Sequence, residues 1–586
     1  MTVTTSKSKN STSYYIKDSL YNNGKITSRN VERLGSYSDL EVRFGKENTL
    51  GKLDEYVKEL TRKKKEGTQK IMVAYSPNKT IDTAKQVTFN CGYLFLQRIY
   101  RELGLEHICQ RIQDRYDFDF DLNAVLSRLI YGRILYPASK RSTHELSRRF
   151  IERPCFELHH IYRALEVIYK ESDFIQTELY KNSKAVIKRK TGILYYDMTN
   201  YFFEIEQEDG IKQYGVSKEN RPNPIVQMGL FMDGDGLPLA FSIHKGNESE
   251  QKTLKPLEQK ILSDFELSKF VVCTDAGLAS ADNRKYNNIG GRAFITTQSI
   301  KKLKKGLKEW ALKPTGWRLP GKLGVYDISQ VENDDYLKRT ALQFGETINA
   351  QTETFYKEQW MPDMDPEQKM IVTYSIKYRD YQQKIRGRQV DRAIKLIDKN
   401  PTKLKKVNAN DYKRFISRTA VTKEGEVAKK ELFAIDTSVI EAEEIYDGFY
   451  AVCTNLEDDA QAVIKINQRR WEIEESFRIM KNEFKARPVY LQRDDRIEAH
   501  FVTCFIGLLI YRILEKRLDE SFTCSRIIGE LRDMNMLEVA HEGYVPAYTR
   551  TDFTDALHDA FGFRTDFQIT THSKMKKILS RSYHKK

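Results

Sequence analysis

The chain has 586 residues and a mass of 68.6 kDa, with 40% hydrophobic and 11% aromatic residues, so it is too long for one core and too apolar to be disordered throughout. Its 97 Lys and Arg outnumber 82 Asp and Glu, leaving +15 and a pI near 9.1, which suggests a polyanionic partner, most simply nucleic acid. The seven cysteines are scattered, odd in number and without a Cys-x-x-Cys pair, so they read as reduced thiols and not as a disulfide framework or a zinc site.

The N-terminus, MTVTTSKSKNSTS, is polar and lacks an apolar signal core, so a soluble intracellular protein is expected. Residues 12–34 alternate apolar and polar positions about Asn23-Gly24, which predicts a β-hairpin. A basic helical stretch follows, with ELTRKKKEG at 59–67. From about 89 to 188 the periodicity is helical, as in LNAVLSRLIYGRILYP and HIYRALEVIYKES. His159-His160 lies there, but adjacent helical residues diverge by about 100° and no third ligand is spaced to join them in a metal site.

The pattern then turns to strands. KTGILYYD (190–197) is an apolar run ending in a carboxylate, and PIVQMGLFMDGDGLPLAFSIHKG (224–246) is a hairpin across Asp-Gly-Asp-Gly. Asp233-x-Asp235-Gly236 resembles the start of a calcium loop, yet its twelfth position is His244 where that loop needs Glu, so a turn is expected. SEQKTLKPLEQKILSDF (249–265) is helical, KFVVCTDAGL (269–278) is a buried strand ending in a carboxylate, and RAFITTQSI (292–300) is one more strand. Together they predict a mixed α/β core. Residues 301–455 are of mixed character, opening on the basic SIKKLKKGLKEW and closing on the strand-like YDGFYAVCTN. The longest apolar run, FVTCFIGLLIY (501–511), is too short to span a bilayer and suits a core helix, and the tail KMKKILSRSYHKK is basic.

RRWEIEESFRIMK (469–481) puts four basic and three acidic residues into one short helical segment. On one continuous wheel with Arg470 at zero, Glu474 falls at about 40°, Lys481 at about 20° and Asn467 at about 60°. Ile466, Ile473, Phe477 and Met480 form an apolar stripe beside them, so the charges line the border of a buried face. The bland reading is a solvated Arg470–Glu474 pair of little stability value. Asp197 and Asp275, each at the end of an apolar strand, read alone as turn formers or helix caps. Set in one sheet with Glu474 nearby, the three carboxylates would repel unless hard divalent cations compensated them. Two such ions clamp the attacking and leaving oxygens of a phosphoryl displacement, with Arg470 and Lys481 placed to hold non-reacting phosphates.

YYDMTN around Asp197, VVCTDAG around Asp275, and R-x3-E-x6-K at Arg470, Glu474 and Lys481 resemble the acidic triad and C-terminal signature of the DDE transposases of bacterial insertion sequences. More narrowly, they resemble the subgroup with a Y-x2-R-x3-E-x6-K signature and a large β-rich insertion before the Glu. GVSKENRP (215–222), LPLAFSIHKGNESE (237–250) and FKARPVY (484–490) resemble stretches of that subgroup as well. The signature Tyr is replaced by Asn467, which can hydrogen-bond a phosphate but cannot stack.

The resemblance implies an α/β, ribonuclease-H-like mixed-sheet catalytic core interrupted by the insertion, with an N-terminal hairpin, helical regions and a helical C-terminal tail. It implies Asp197, Asp275 and Glu474 as catalytic and metal-binding residues, with Mg2+ or Mn2+, two ions, as cofactor. Arg470, Lys481 and Asn467 would contact DNA phosphates. In the subgroup the insertion can carry a Trp that stacks on a base flipped out as a DNA hairpin forms. Trp310 and Trp317 stand in the matching region beside Lys301, Lys302, Lys304 and Lys305, with a core role as the alternative for each. The implied partners are double-stranded DNA, as inverted-repeat ends and as target, and a second copy of the chain, with no membrane and a place in the bacterial cytoplasm at the nucleoid.

The expected division is 1–88 (hairpin and basic region, DNA-end contacts), 89–188 (helical), 189–300 (first part of the core), 301–456 (insertion), 457–515 (second part, with Glu474) and 516–586 (basic C-terminal region). The expected activity is metal-dependent hydrolysis at element ends followed by strand transfer of the 3′-hydroxyl. A related nuclease without joining, or an inert DNA-binding repressor copy, are the alternatives.

Overall fold

The computed structural model describes residues 1–8, 11–22, 25–68, 71–73, 75–345, 347–399, 411–421 and 430–581. Two compact units divide the chain, Met1–Val87 with Val539–Gly543, and Thr88–Glu538 with Tyr544–Lys586.

In the smaller unit, the expected hairpin strands run Ser11–Asn22 and Lys25–Gly35, with Asn22 opposite Lys25. Asn23-Gly24 itself lies outside the described residues. A further strand, Thr2–Ser8, whose threonines and valine favour extended backbone, adds to the hairpin and makes a three-stranded antiparallel sheet. Helices Tyr37–Phe44 and Thr49–Thr68 close over it, burying Ile16, Leu34, Leu40, Leu53 and Val57 in a small core.

The larger unit is built on a ten-stranded sheet. Its strands are β1 (Ile193–Phe202), β2 (Ile225–Asp233), β3 (Pro238–Lys245), β4 (Val271–Thr274), β5 (Ala293–Thr297), β6 (Trp317–Arg318), β7 (Val325–Tyr326), β8 (Phe355–Met361), β9 (Gln368–Tyr374) and β10 (Phe449–Thr454). The first five lie in the order β3-β2-β1-β4-β5, with β1, β2 and β3 antiparallel and β4 and β5 parallel to β1. This is the ribonuclease-H-like arrangement expected from the sequence. Strands of the insertion carry the sheet onward, as β10 pairs with β5 and is followed by β9, β8, β6 and β7.

Six helices matter below: α1 (Leu122–Leu135), α2 (Lys140–Leu146), α3 (Glu250–Asp264), α4 (Ala460–Gln468), α5 (Trp471–Arg478) and α6 (Asp494–Arg517). The run FVTCFIGLLIY is only part of α6, which by length and composition is long enough to cross a membrane. Its apolar window is 94% buried inside the protein, against α1 and the sheet, so it serves as the core helix expected from its sequence. A helix apolar on every side needs such all-round cover.

The Asp-Gly-Asp-Gly stretch is a β2–β3 turn, as expected. Buried Asp233 accepts the backbone N–H groups of Asp235 and Leu237 at 3.0 Å each and pairs with Arg189 at 2.5 Å. At Gly236 φ is +77°, a left-handed backbone that favours glycine, and a Cβ there would also push aside the Glu472 carboxylate, 1.9 Å away.

Candidate active site

Asp197 lies inside β1 and not at its end, a correction to the sequence reading. The ladder with β2 continues past it to Phe202 opposite Ile225, because MTNYF remains a good strand sequence with a long antiparallel partner. On the other side β4 is shorter and stops at Thr274. Ile193 lies beside Val271, Leu194 beside Val272 and Tyr195 beside Cys273. The paired stretch ends there: Asp197 stands two residues beyond Tyr195, still inside β1, and Asp275 two residues beyond Cys273, just past the end of β4, and the Asp275 charge acts on the Asp197 carboxyl, so the two carboxylates are neighbours.

Each aspartate commits one oxygen to nearby backbone. Asp197 Oδ1 accepts from Met198 N–H at 2.7 Å. Asp275 Oδ1 accepts from Gly277 and Leu278 N–H at 3.0 and 3.2 Å, so Asp275 does cap a short 3-10 turn, Ala276–Leu278. Asp197 is only 9% exposed. Its carboxyl is pushed up to about 6, chiefly by burial and also by the Asp275 charge, while Lys218, the Met198 N–H and Arg470 oppose the rise.

The signature segment is not one helix, which corrects the wheel. Helix α4 ends at Gln468, a turn of three-residue hydrogen bonds follows (Arg470 N–H to Asn467 O, 3.2 Å; Glu472 N–H to Arg469 O, 3.1 Å), and α5 begins at Trp471. Beyond Arg478 a π-turn, Ile479–Glu483, carries Lys481. The apolar stripe survives, with Ile473, Phe477 and Met480 buried, because each short piece still packs that face on the core.

Arg470 turns toward the sheet, donating from Nη1 to Thr297 Oγ1 at the end of β5 at 3.1 Å. Burial disfavours its charge, but Cys273, Tyr450 and then Asp197 and Asp275 hold the guanidinium above its ordinary value. Lys481 is pushed down to about 8 by burial and then by Lys218, with Asp197 opposing, and its Nζ lies 3.5 Å from Glu219. The two aspartates, Arg470 and Lys481 therefore share one electrostatic neighbourhood.

Glu474, one turn along α5, is exposed and lines a cleft of about 360 Å³ with Asn467, Arg470, Trp471 and Tyr450. Among the described residues it has no ion pair or hydrogen bond, so the bland i,i+4 pair with Arg470 does not form. It is not drawn tightly onto the aspartates. The one trio of acidic or histidine side chains with ligand atoms all within 4.8 Å of one another, among the described residues, is Asp555, His558 and Asp566. That trio is an ion-pair network: Arg564 holds both carboxylates, and His558 Nε2 accepts the Thr565 N–H at 3.2 Å, which leaves the proton on Nδ1. His160 of the adjacent pair is likewise occupied, its Nδ1 accepting the Glu157 N–H at 3.0 Å.

Asn467 is buried, and its amide donates to the Tyr450 hydroxyl at 3.2 Å. That hydroxyl also bonds Thr297 at 2.6 Å. A tyrosine hydroxyl thus reaches this corner from β10 although the signature position holds Asn. The sequence reading missed Tyr450, for which only the closing strand YDGFYAVCTN gave a signal. It missed Lys218 as well, whose segment GVSKENRP was noted but not assigned to the site; Lys218 donates to Met198 O beside Asp197 and lies 3.5 Å from Glu250.

The two tryptophans separate. Trp317 is 0% exposed, packed between Tyr374 and Phe449 with its indole N–H on Lys313 O at 2.9 Å, so no face is open to a base. The core alternative holds for it. Trp310 is half-buried at the rim of the same core, with Lys357 Nζ 5.1 Å from its ring.

The residue types suit hard divalent cations. A carboxylate raised chiefly by burial and also by its neighbour, and an exposed carboxylate with no ion pair among the described residues, offer oxygen ligands with no histidine or cysteine required.

The family described as "Transposase DDE domain", whose members generally use divalent metal ions, matches residues 201–510, a span that holds Asp275 and Glu474 and begins just after Asp197. No curated protein matches the chain. A cryo-EM structure of the piggyBac transposase synaptic complex with hairpin DNA is similar over 76% of this chain and 78% of that one, at 8% identity and a TM-score of 0.35, too loose a likeness to carry any argument. The family match spans more than half of the sequence, and the chain belongs to the transposase DDE domain family.

Proposed function

We propose that the chain is the transposase of a bacterial insertion sequence, of the subgroup with the Y-x2-R-x3-E-x6-K signature, acting on double-stranded DNA in the cytoplasm. Water attacks the phosphodiester at each element end and frees a 3′-hydroxyl, which then attacks target DNA. Both steps are in-line displacements and need no covalent enzyme intermediate. The observation that carries this reading is the closeness of Asp197 and Asp275, each two residues beyond the last pair of adjoining parallel strands, with the Arg470 charge acting on both and Glu474 unpaired on the next helical turn.

Asp197, Asp275 and Glu474 would hold the divalent ions, Mg2+ or Mn2+ and two in number. When bound, such ions supply Lewis-acid charge to the attacking and leaving oxygens. Arg470 and Lys481 neutralise the phosphate approaching the carboxylates, and their partly buried setting strengthens that attraction. Lys218 steadies Asp197 against burial. Trp310, at the rim of the insertion core, is the candidate for stacking on a displaced base. The N-terminal unit, the helical region of 89–188 and the basic C-terminal region would recognise the element ends, and two copies of the chain would assemble on two ends. Phosphate contacts dominate that affinity, so it falls steeply with salt.

The test uses a plasmid bearing the element with its flanks. Asp197→Ala, Asp275→Ala and Glu474→Ala are expected to abolish divalent-dependent cleavage and to leave DNA binding intact. A variant that still cuts removes that residue from the site. Cleaved ends that never appear joined to a target plasmid identify a nuclease without strand transfer, and binding without any divalent-dependent nicking identifies a repressor copy.

A further inference from the structure

A second basic site lies apart from the carboxylates. A cavity of about 470 Å³ is lined by Arg133 of α1, Ser139 through Ser142 at the start of α2, Lys485 and Arg487 through Leu491 after the π-turn, and His500 of α6. Its lining holds Arg133, Lys140, Arg141, Lys485 and Arg487 and no Asp or Glu.

Two of these cations are buried without a counter-charge. Lys140 is 5% exposed and forms no ion pair among the described residues; its Nζ lies 3.4 Å from His500 Nδ1. His500 Nε2 faces the Ala486 carbonyl at 3.3 Å, so that nitrogen carries the proton and Nδ1 accepts from Lys140. A neutral histidine therefore orients the ammonium without neutralising it. Arg133 is also buried, and among the described residues it donates only to carbonyls, those of Phe484 at 3.1 Å, Ala138 at 3.2 Å and Lys485 at 3.4 Å. Burial and the Arg133 charge push Lys140 down to about 7, so the group is poised to regain full charge beside an anion. Lys485, exposed at the rim, holds φ at +45°, a conformation uncommon for lysine. Cations buried together cost stability unless something negative joins them.

The cavity is linked to the proposed active site. Glu219 touches both Lys481, which faces Asp197, and Arg487, which lines the cavity. A chain of charged contacts thus runs from Asp197 through Lys481 and Glu219 to Arg487 on the cavity wall.

We infer that this cavity seats one phosphodiester of the DNA on which the carboxylate site acts, gripped by Lys140, Arg133 and Lys485 away from the scissile bond. This rests on the DNA-processing reading above. A free phosphate or nucleotide presents the same chemistry, and the test separates the two.

The full chain is titrated into a short fluorescein-labelled duplex by anisotropy over a series of NaCl concentrations, beside Lys140→Met and Lys485→Asn. Asparagine tolerates the left-handed backbone, so K485N keeps the fold even if K140M does not. The expected result is a log-affinity against log-salt slope shallower by about 0.9 in each variant, the loss of one phosphate contact. Orthophosphate is expected to raise the Tm of the wild type and not of the variants. Wild-type binding with an unchanged slope in K485N overturns the inference while leaving the DNA-processing reading in place. Loss of the orthophosphate effect with unchanged DNA slopes assigns the cavity to a free anion and also overturns it. A wild-type chain that binds no duplex overturns both readings.

Discussion

Replacing Asp197 by asparagine keeps the side chain's shape and removes its charge, and the structure assigns a sign to the result. The carboxyl titrates near 6 in the folded chain against an ordinary 3.8, mainly because it is buried and secondly because Asp275 stands beside it. A raised carboxylate takes up protons on folding, so stability falls as pH rises from about 4 through 6 and stays low above. The shift corresponds to about 3 kcal/mol at pH 7.5. The substituted amide resembles the protonated acid and escapes that cost, and its oxygen can still accept the Met198 N–H. D197N is therefore expected to melt higher than the wild type at pH 7.5, by a few degrees, with the gap closing near pH 4. Thermal melts across that range measure it directly. Saturating Mn2+ should stabilise the wild type and not D197N, while D197N cuts no DNA. A variant that melts at or below the wild type at pH 7.5, with the same gap at pH 4, refutes the claim that this carboxylate is held at a cost to the fold.

Arg470→Gln should lower cleavage roughly a hundredfold, the scale on which preorganised donors act, with little change in duplex affinity; an equal loss of binding would make Arg470 an affinity contact instead. Trp317→Ala should cost about 3–5 kcal/mol of stability through a core cavity, seen as a lower Tm. Trp310→Ala should leave the melt nearly unchanged and weaken stacking by about 1–3 kcal/mol, read as reduced 2-aminopurine quenching at the element end; a reversal of the two profiles would exchange their roles. Tyr450→Phe removes the hydroxyl shared by Asn467 and Thr297 and should destabilise the chain by about 1–2 kcal/mol, and an unchanged melt would show that those hydrogen bonds add nothing.

Much of the catalytic sheet was legible in the sequence because its information is local. The apolar runs at 190–197, 224–246, 269–278 and 292–300 each became the strand or hairpin expected, and Asp-Gly-Asp-Gly became the turn between two of them. The apolar stripe of the signature segment was readable for the same reason, since a helical face repeats over a few residues.

What periodicity could not show was where regular structure stops. The break at Arg469–Arg470 and the π-turn at Lys481 depend on a few hydrogen bonds that the local pattern hardly records, and they turn Arg470 toward the sheet and away from Glu474. Asp197 inside its strand, Tyr450 beside Asn467, Lys218 beside Asp197 and the buried Trp317 all depend on which distant segment packs alongside.

By itself, then, the sequence determined the strands, the hairpins, the order of the acidic residues and the excess of positive charge. Only the tertiary structure decided that Asp197 and Asp275 stand close together, and that Lys140 and Lys485 face one cavity. The reason is physical: register and burial arise from contacts between segments far apart in the chain, and no local run of residues encodes the electrostatic environment its partners will create.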